Sequence, residues 1–349
     1  MSKFRKILKN SLLVSFILVA FTFTMLQPTP KIDGQQQQEE VGEKEKNNAI
    51  SAVENNDSID EETITFIPNR KIMMNVTDLE LEIGPGEKIK TWAFNNTVPG
   101  PPLRFTEDEK VQIEFRNNST FPHTLHFHGI HDDKNDGVLP IIMPGQSYLY
   151  NITAEPTGTL MYHCHTMPVS DHIRMGMYGI MVVDPKEPLP PAKEYYMVFS
   201  EFSTDENNLT KFIADVYPIN GYSYQYMSNP IEFNQTDLLR IYAINVGSTI
   251  PAPLHLHSTI FKVYPSGLLS NQPYDVQTIP ISPGDATIIE AKWKYPGTYM
   301  FHSHGIQEEK GNMGVIEVLD NKNNPDTLTE SISMFDWQYD LQKKLQTEK

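Results

Sequence analysis

The same four motifs occur twice, in the same order, along this chain of 349 residues, and no other feature constrains the fold as much. The first pass reads HTLHFHG (123–129), IIMPG (141–145), GTLMYHCH (158–165) and MYGIMVV (177–183). The second reads PLHLHS (253–258), PISPG (280–284), GTYMFHSH (297–304) and NMGVIEV (312–318). Repetition at this scale describes two homologous domains in tandem. The length agrees, at roughly 100 to 200 residues per domain. Between the passes lies PKEPLPPAKE (185–194), whose Pro and charge content suits an extended linker.

Within each pass the apolar segments are short, often alternating and rich in β-formers, as at 111–115, 147–152, 238–245 and 286–291. Pro and Gly punctuate them, and no long stretch carries a helical period. The expected fold is all-β: two Greek-key β-sandwich domains, at 62–187 and 188–349, the second ending in a C-terminal tail. Ahead of them, Lys3, Arg5, Lys6 and Lys9 precede an uncharged apolar run at 11–26, the layout of an export signal or membrane anchor occupying 1–27. Residues 28–61 are polar, charged and nearly free of aromatics, which predicts a disordered stalk. The chain is expected to be exported, to the cell surface, a periplasm-like space or the medium. With 28 basic against 44 acidic residues and a formal charge of −16, nucleic acid is excluded as a partner.

Ten of the eleven histidines fall in four clusters at matching places in the two passes. Side chains two apart on a strand share a face, so His126/His128, His163/His165, His255/His257 and His302/His304 each present two imidazoles together. Eight unliganded imidazoles gathered this way would be costly to bury, and metal is the economical explanation. The single cysteine, Cys164, has no disulfide partner within the chain. It lies between His163 and His165 and so points to the opposite face, into its own domain. There it can meet His123, His172 and Met177, a two-imidazole, one-thiolate, weak-thioether set that suits a blue copper electron-transfer site. Met175 is a competing axial group with poorer spacing. His131 is left over and is read as a surface residue or a group behind a ligand.

These residues, with TWAFNNTVPGPPLRF (91–105) as an opening motif, resemble the multicopper oxidase and copper nitrite reductase superfamily of repeated cupredoxin domains across nearly all of 63–319. The resemblance implies a type 1 copper on His123, Cys164, His172 and Met177. It implies a type 2 copper on His126 and His255, and a type 3 pair on His128, His163, His165, His257, His302 and His304. That makes about four coppers per chain. In the second pass, Ala252, Ser303, Gln307 and Asn312 occupy the positions of the blue-copper ligands, so no second type 1 site is expected. The pattern is similar to two-domain, laccase-like oxidases with blue copper in the first domain. For those, the resemblance implies a homotrimer with three-copper sites shared between subunits.

The activity so implied is one-electron oxidation of a donor at the type 1 copper, coupled to four-electron reduction of O2 to water. Asp136 resembles the carboxylate that delivers protons in that family. The donor can be a small molecule, a metal ion or a redox protein. One rival is copper nitrite reductase, in which an Asp holds the place of His126 and the catalytic metal takes three histidines. A non-catalytic electron carrier is a second rival, and it leaves the eight-histidine set without a task.

Overall fold

The computed structural model describes residues 66–205, 212–320, 339–344 and 346. The expected signal or anchor and the stalk lie outside the described residues. Among the described residues no helix is long and apolar enough to cross a membrane.

The all-β expectation holds. In the first sandwich one sheet runs β2 (Glu87–Phe94), β1 (Arg70–Gly84), β4 (Lys110–Asn117), β6 (Ser147–Thr153). The facing sheet runs β3 (Leu103–Thr106), β8 (Tyr178–Asp184), β7 (Gly158–His163), β5 (His126–Phe127). Their inner faces meet in a core that includes Val76, Phe94, Phe105, Phe115, Leu125 and Tyr150. The second sandwich pairs a sheet of β14 (Tyr274–Val276), β13 (Phe261–Pro265), β16 (Ala286–Ala291), β11 (Leu239–Asn245), β9 (Lys193–Phe199) with a second sheet. That sheet runs β10 (Ile231–Asn234), β18 (Met313–Leu319), β17 (Gly297–Ser303), β12 (Ala252–Leu256), β15 (Thr278–Ile281).

The sequence repeat reappears as a repeat of register. β5 sets His126 opposite His163 on β7, and β12 sets His255 opposite His302 on β17. Main-chain bonds repeat as well: Cys164 N–H donates to Met177 O and Met177 N–H to His172 O. In the second sandwich Ser303 N–H donates to Asn312 O and Asn312 N–H to Gln307 O. The residue-by-residue match between the two passes is therefore also a match in space.

Simple alternation between core and solvent fails at the strands where the sandwiches meet. β7, β9 and β11 are buried at every position, and β8 at all but its last. The reason is a third apolar layer. Tyr178, Ile180 and Val182 on the outer face of β8 pack with Met161, Leu81 and Ile83, and across the junction with Tyr196, Val198, Tyr242, Ile244 and Ile288. The opposite faces of the same strands line the two separate cores, so each strand is covered on both sides. The described residues accordingly belong to one compact unit.

A short helix, α1 (Val169–Arg174), lies between β7 and β8 and carries His172. It ends because Gly176, at φ +94°, turns the chain left-handed beneath Thr91 and Val98, where a Cβ would come within 2.7 Å of both. At Gly179 the constraint is space, since a Cβ there would run into the ring of Tyr162. Tyr162 is fully buried, and its hydroxyl donates to Pro101 O at 2.7 Å. Gly179→Ala is expected to destabilise the fold by about 1–3 kcal/mol through overpacking, measured as a lower midpoint in denaturant unfolding.

Candidate metal centres

At His163 strand β7 gives out, and the side chains of His163, Cys164 and His165 settle into different surroundings. Cys164 turns inward and is fully buried in the first core. Its Sγ lies 3.3 Å from His172 Nδ1 and 3.8 Å from His123 Nδ1, while the two Nδ1 atoms are 3.2 Å apart. Met177 is fully buried in the same core. Three donors thus converge on one point, and neutral imidazole nitrogens with a sulfur are the set that copper takes.

The surroundings hold these donors in the metal-binding tautomer. Ser119 Oγ donates to the Asp78 carboxylate at 2.6 Å, so toward His123 it can only accept. His123 therefore presents Nε2–H to Ser119, at 3.1 Å, and leaves Nδ1 bare beside the sulfur. Thr124 N–H points at Cys164 Sγ from 3.4 Å, a donor suited to a thiolate. Trp92 packs on both imidazoles, its ring 5.0 Å from His123 and 4.8 Å from His172, and Phe121 packs on Trp92 at 4.9 Å. The opening motif that contains Trp92 is visible in the sequence, but its covering role is not.

The flanking histidines go the other way. His126, His128, His163 and His165 gather with ring centroids 5.1 to 5.4 Å apart between neighbours. In the second sandwich His255, His257, His302 and His304 gather likewise, at 4.8 to 5.9 Å. In each cluster one pair meets through Nε2: His128 with His163 at 3.2 Å, and His257 with His302 at 3.1 Å. The outer nitrogens are occupied. Nδ1–H donates to a main-chain carbonyl from His126 (Asp136 O), His163 (Cys164 O) and His255 (Gln277 O). Against His302 Nδ1, at 2.6 Å, stands Glu308 Oε2. His163 shows the arrangement in full, with Nδ1 held by a carbonyl and Nε2 meeting its cluster neighbour, as a ligand backed by an outer partner does.

Asp136 sets Oδ1 3.3 Å from His126 Nδ1 and 3.9 Å from His131 Nδ1. His131 is no surface group: its side chain is 11 % exposed, and Nε2–H donates to Phe127 O at 2.7 Å. The reading that it stands behind a ligand fits better. Glu308 went unnoticed in the sequence, although its carboxylate follows HSHG closely enough to have been a candidate. In the second sandwich Ser303, Gln307 and Asn312, all buried, stand on backbone that matches Cys164, His172 and Met177. Their oxygen and amide groups offer none of the soft sulfur a blue copper requires.

Burial decides the protonation of the site. It pushes the pKa of His123 down to about 3, with the facing His172 adding to the effect. Burial likewise brings His163 to about 3, and His128 and His172 to about 4. All four are neutral near pH 7, with lone pairs available. Burial pushes the Cys164 thiol up, so binding a metal there must displace its proton.

Two β-sandwiches with a thiolate-imidazole set at one end define the cupredoxin class of copper protein. The multicopper oxidase family matches residues 75–188 and again residues 189–322. A copper-containing nitrite reductase of Neisseria meningitidis is 30% identical over 283 residues, covering 75% of this chain and 72% of the relative. A solved multicopper oxidase is 37% identical with a TM-score of 0.67, covering 71% of this chain and 88% of that one. A blue copper oxidase from Nitrosomonas europaea is 27% identical at TM-score 0.67, covering 78% and 94%. The chain belongs to the multicopper oxidase family, within the two-domain cupredoxin superfamily that also includes copper nitrite reductases. It is a copper oxidoreductase by descent.

Unfolded, these histidines take up protons near their ordinary value of 6.5; folded, only near 3 to 4. Acid therefore favours the unfolded chain, and stability is lost progressively as pH falls below 6.5. The copper-free protein should show a falling thermal midpoint from pH 7 to pH 5. Copper loading should raise the midpoint at pH 7, because metal binds the folded form.

Proposed function

We propose that this protein is an oxidase that draws electrons singly from a donor at a type 1 copper and delivers them to O2, making water, at a three-copper centre. The observation that carries this reading is the pair of four-imidazole clusters, in each of which two rings meet through Nε2. His123, Cys164, His172 and Met177 would hold the type 1 copper. His126 and His255 would hold type 2, and His128, His163, His165, His257, His302 and His304 the type 3 pair. Bound copper would supply one-electron chemistry at the first centre and bind and reduce O2 at the second.

The chain's own residues do the rest. Cys164 is joined through the main chain to His163 and His165, so the two centres are linked by a peptide rather than by a gap. Asp136, beside His126, holds a carboxylate at the edge of the cluster, where a proton can be handed inward. Among the described residues no ring contact joins a histidine of the first cluster to one of the second, and His304 is exposed. This supports a homotrimer in which each cluster is completed by a neighbouring chain. On its leading sequence we read the protein as exported; the donor is a small molecule, a metal ion or a redox protein.

Nitrite reduction is the second reading, favoured by the Neisseria relative. Copper analysis, the visible and near-ultraviolet spectrum and O2 uptake with a generic reductant separate the two. The oxidase predicts about four coppers per chain, a blue band, a type 3 shoulder and O2 consumption. About two coppers per chain, nitrite turnover and no O2 uptake would establish the reductase instead. In the oxidase His302→Ala should cut O2 consumption by on the order of 100-fold while leaving the blue band in place. Sedimentation should return the mass of three chains, and a monomer that is fully active would refute the shared site.

A further inference from the structure

Two residues beyond His172, helix α1 ends in Arg174, and the side chain of Arg174 crosses out of the first sandwich. It is 2% exposed and pairs with Glu201, also 2% exposed, just past the end of β9 in the second sandwich. Nε and Nη2 both donate to Glu201 Oε1, at 3.1 and 2.8 Å. The same carboxylate accepts from Ser248 N–H at 2.9 Å, Ser248 Oγ at 2.8 Å and Thr249 Oγ1 at 2.5 Å, and Arg174 Nε also reaches Ser248 Oγ at 3.0 Å. Residues 248 and 249 lie in the short connection from β11 to β12, the strand that carries His255. One buried carboxylate is thus shared between the helix bearing a type 1 ligand and the lead-in to a strand bearing a ligand of the other centre.

Stability alone does not account for this arrangement. Burying both charges costs desolvation that their attraction repays only in part, and apolar side chains of similar volume hold comparable folds at least as well. The apolar layer beside the pair, where Ile173 packs, already seals the junction. What apolar contacts lack is direction. A planar guanidinium gripped at two nitrogens fixes both the place and the rotation of the helix end that bears it. His172 sits less than one turn back on a helix of only six residues, so its ring moves with Arg174. On the other side the loop is anchored by Met175 O, which accepts from Trp92 N–H at 2.9 Å.

We propose that Arg174 is a positioning residue, held by Glu201, that fixes His172 at the type 1 copper and registers that centre against the second sandwich. This rests on the copper reading above. In the copper-loaded protein the double variant Arg174→Met/Glu201→Gln removes both charges and the two-point grip, and it keeps an acceptor for Ser248 and Thr249. It is expected to fold and to load the same copper content, with a shifted and broadened blue band and a displaced type 1 reduction potential. Donor turnover is expected to fall on the order of 10-fold in kcat with KM unchanged. In the copper-free protein, hydrogen exchange across 169–177 should speed up. Arg174→Lys keeps the charge but not the fork, so it should give a smaller shift of the same sign. If the double variant fails to fold, this variant decides by the same readings.

The control is Arg240→Met/Glu290→Gln, which removes a largely buried ion pair of the second sandwich, 1% and 15% exposed, and should leave the blue band unmoved. A blue band and potential identical to wild type in the Arg174 variants, with unchanged exchange, would overturn the positioning role and leave the pair as structural. A wild type with copper but no blue band would instead defeat the copper reading, and this inference would fall with it.

Discussion

Everything in the candidate site follows from the pleat of one strand end. Side chains go on facing opposite ways as the chain leaves the end of β7, so the triplet His163, Cys164, His165 delivers a sulfur into a dry core and two imidazoles onto a separate cluster. Two chemically unlike donor sets are thereby separated by a peptide's width, with no linking loop between them. The first is enclosed by aromatics and neutral by burial; the second opens partly to solvent and is edged by carboxylates. A one-residue slip in the pairing of β5 with β7 would exchange these faces and lose both sites at once.

Fixing the strands is not enough; the rings must also present the right nitrogen. The structure achieves this by using up the other one. Carbonyls of Asp136, Cys164 and Gln277 engage Nδ1 on the cluster side, whereas at the buried sulfur the Asp78–Ser119 relay engages Nε2 of His123 and bares Nδ1. The choice of nitrogen is opposite at the two centres, and each follows from which atoms the local backbone and side chains can accept or donate.

Much of this was legible in the sequence because it is periodic. Two-residue spacing of histidines on strands, and the repeat of whole motifs, leave a trace that needs no coordinates. What stayed hidden depends on contacts between parts distant in sequence. Trp92 covers His123 and His172 from a strand some 30 and 80 residues away, a distance that no spacing rule reaches. Arg174 reads as an ordinary helix-end cation until Glu201 is found beside it. The expectation of alternating strands failed at β7, β8, β9 and β11 for the same reason. Their second apolar face is meaningful only when another sandwich is there to cover it. The last resolved residues are a similar case: in what reads as a polar tail, Gln342 donates to Pro99 O at 2.6 Å, and Gln346 accepts from Val98 N–H at 3.2 Å.

That shared apolar layer separates the history of the chain from its mechanics. By descent it is two modules, and the motifs can be cut cleanly between them on paper. Energetically it is one body. Severing the chain between β8 and β9 would leave Tyr178, Ile180 and Val182 on one half and Tyr196, Val198 and Tyr242 on the other facing water, two sticky surfaces where there was a dry interior. The repeat is thus legible in the sequence but not in the packing, since each half depends on the other to keep that face dry.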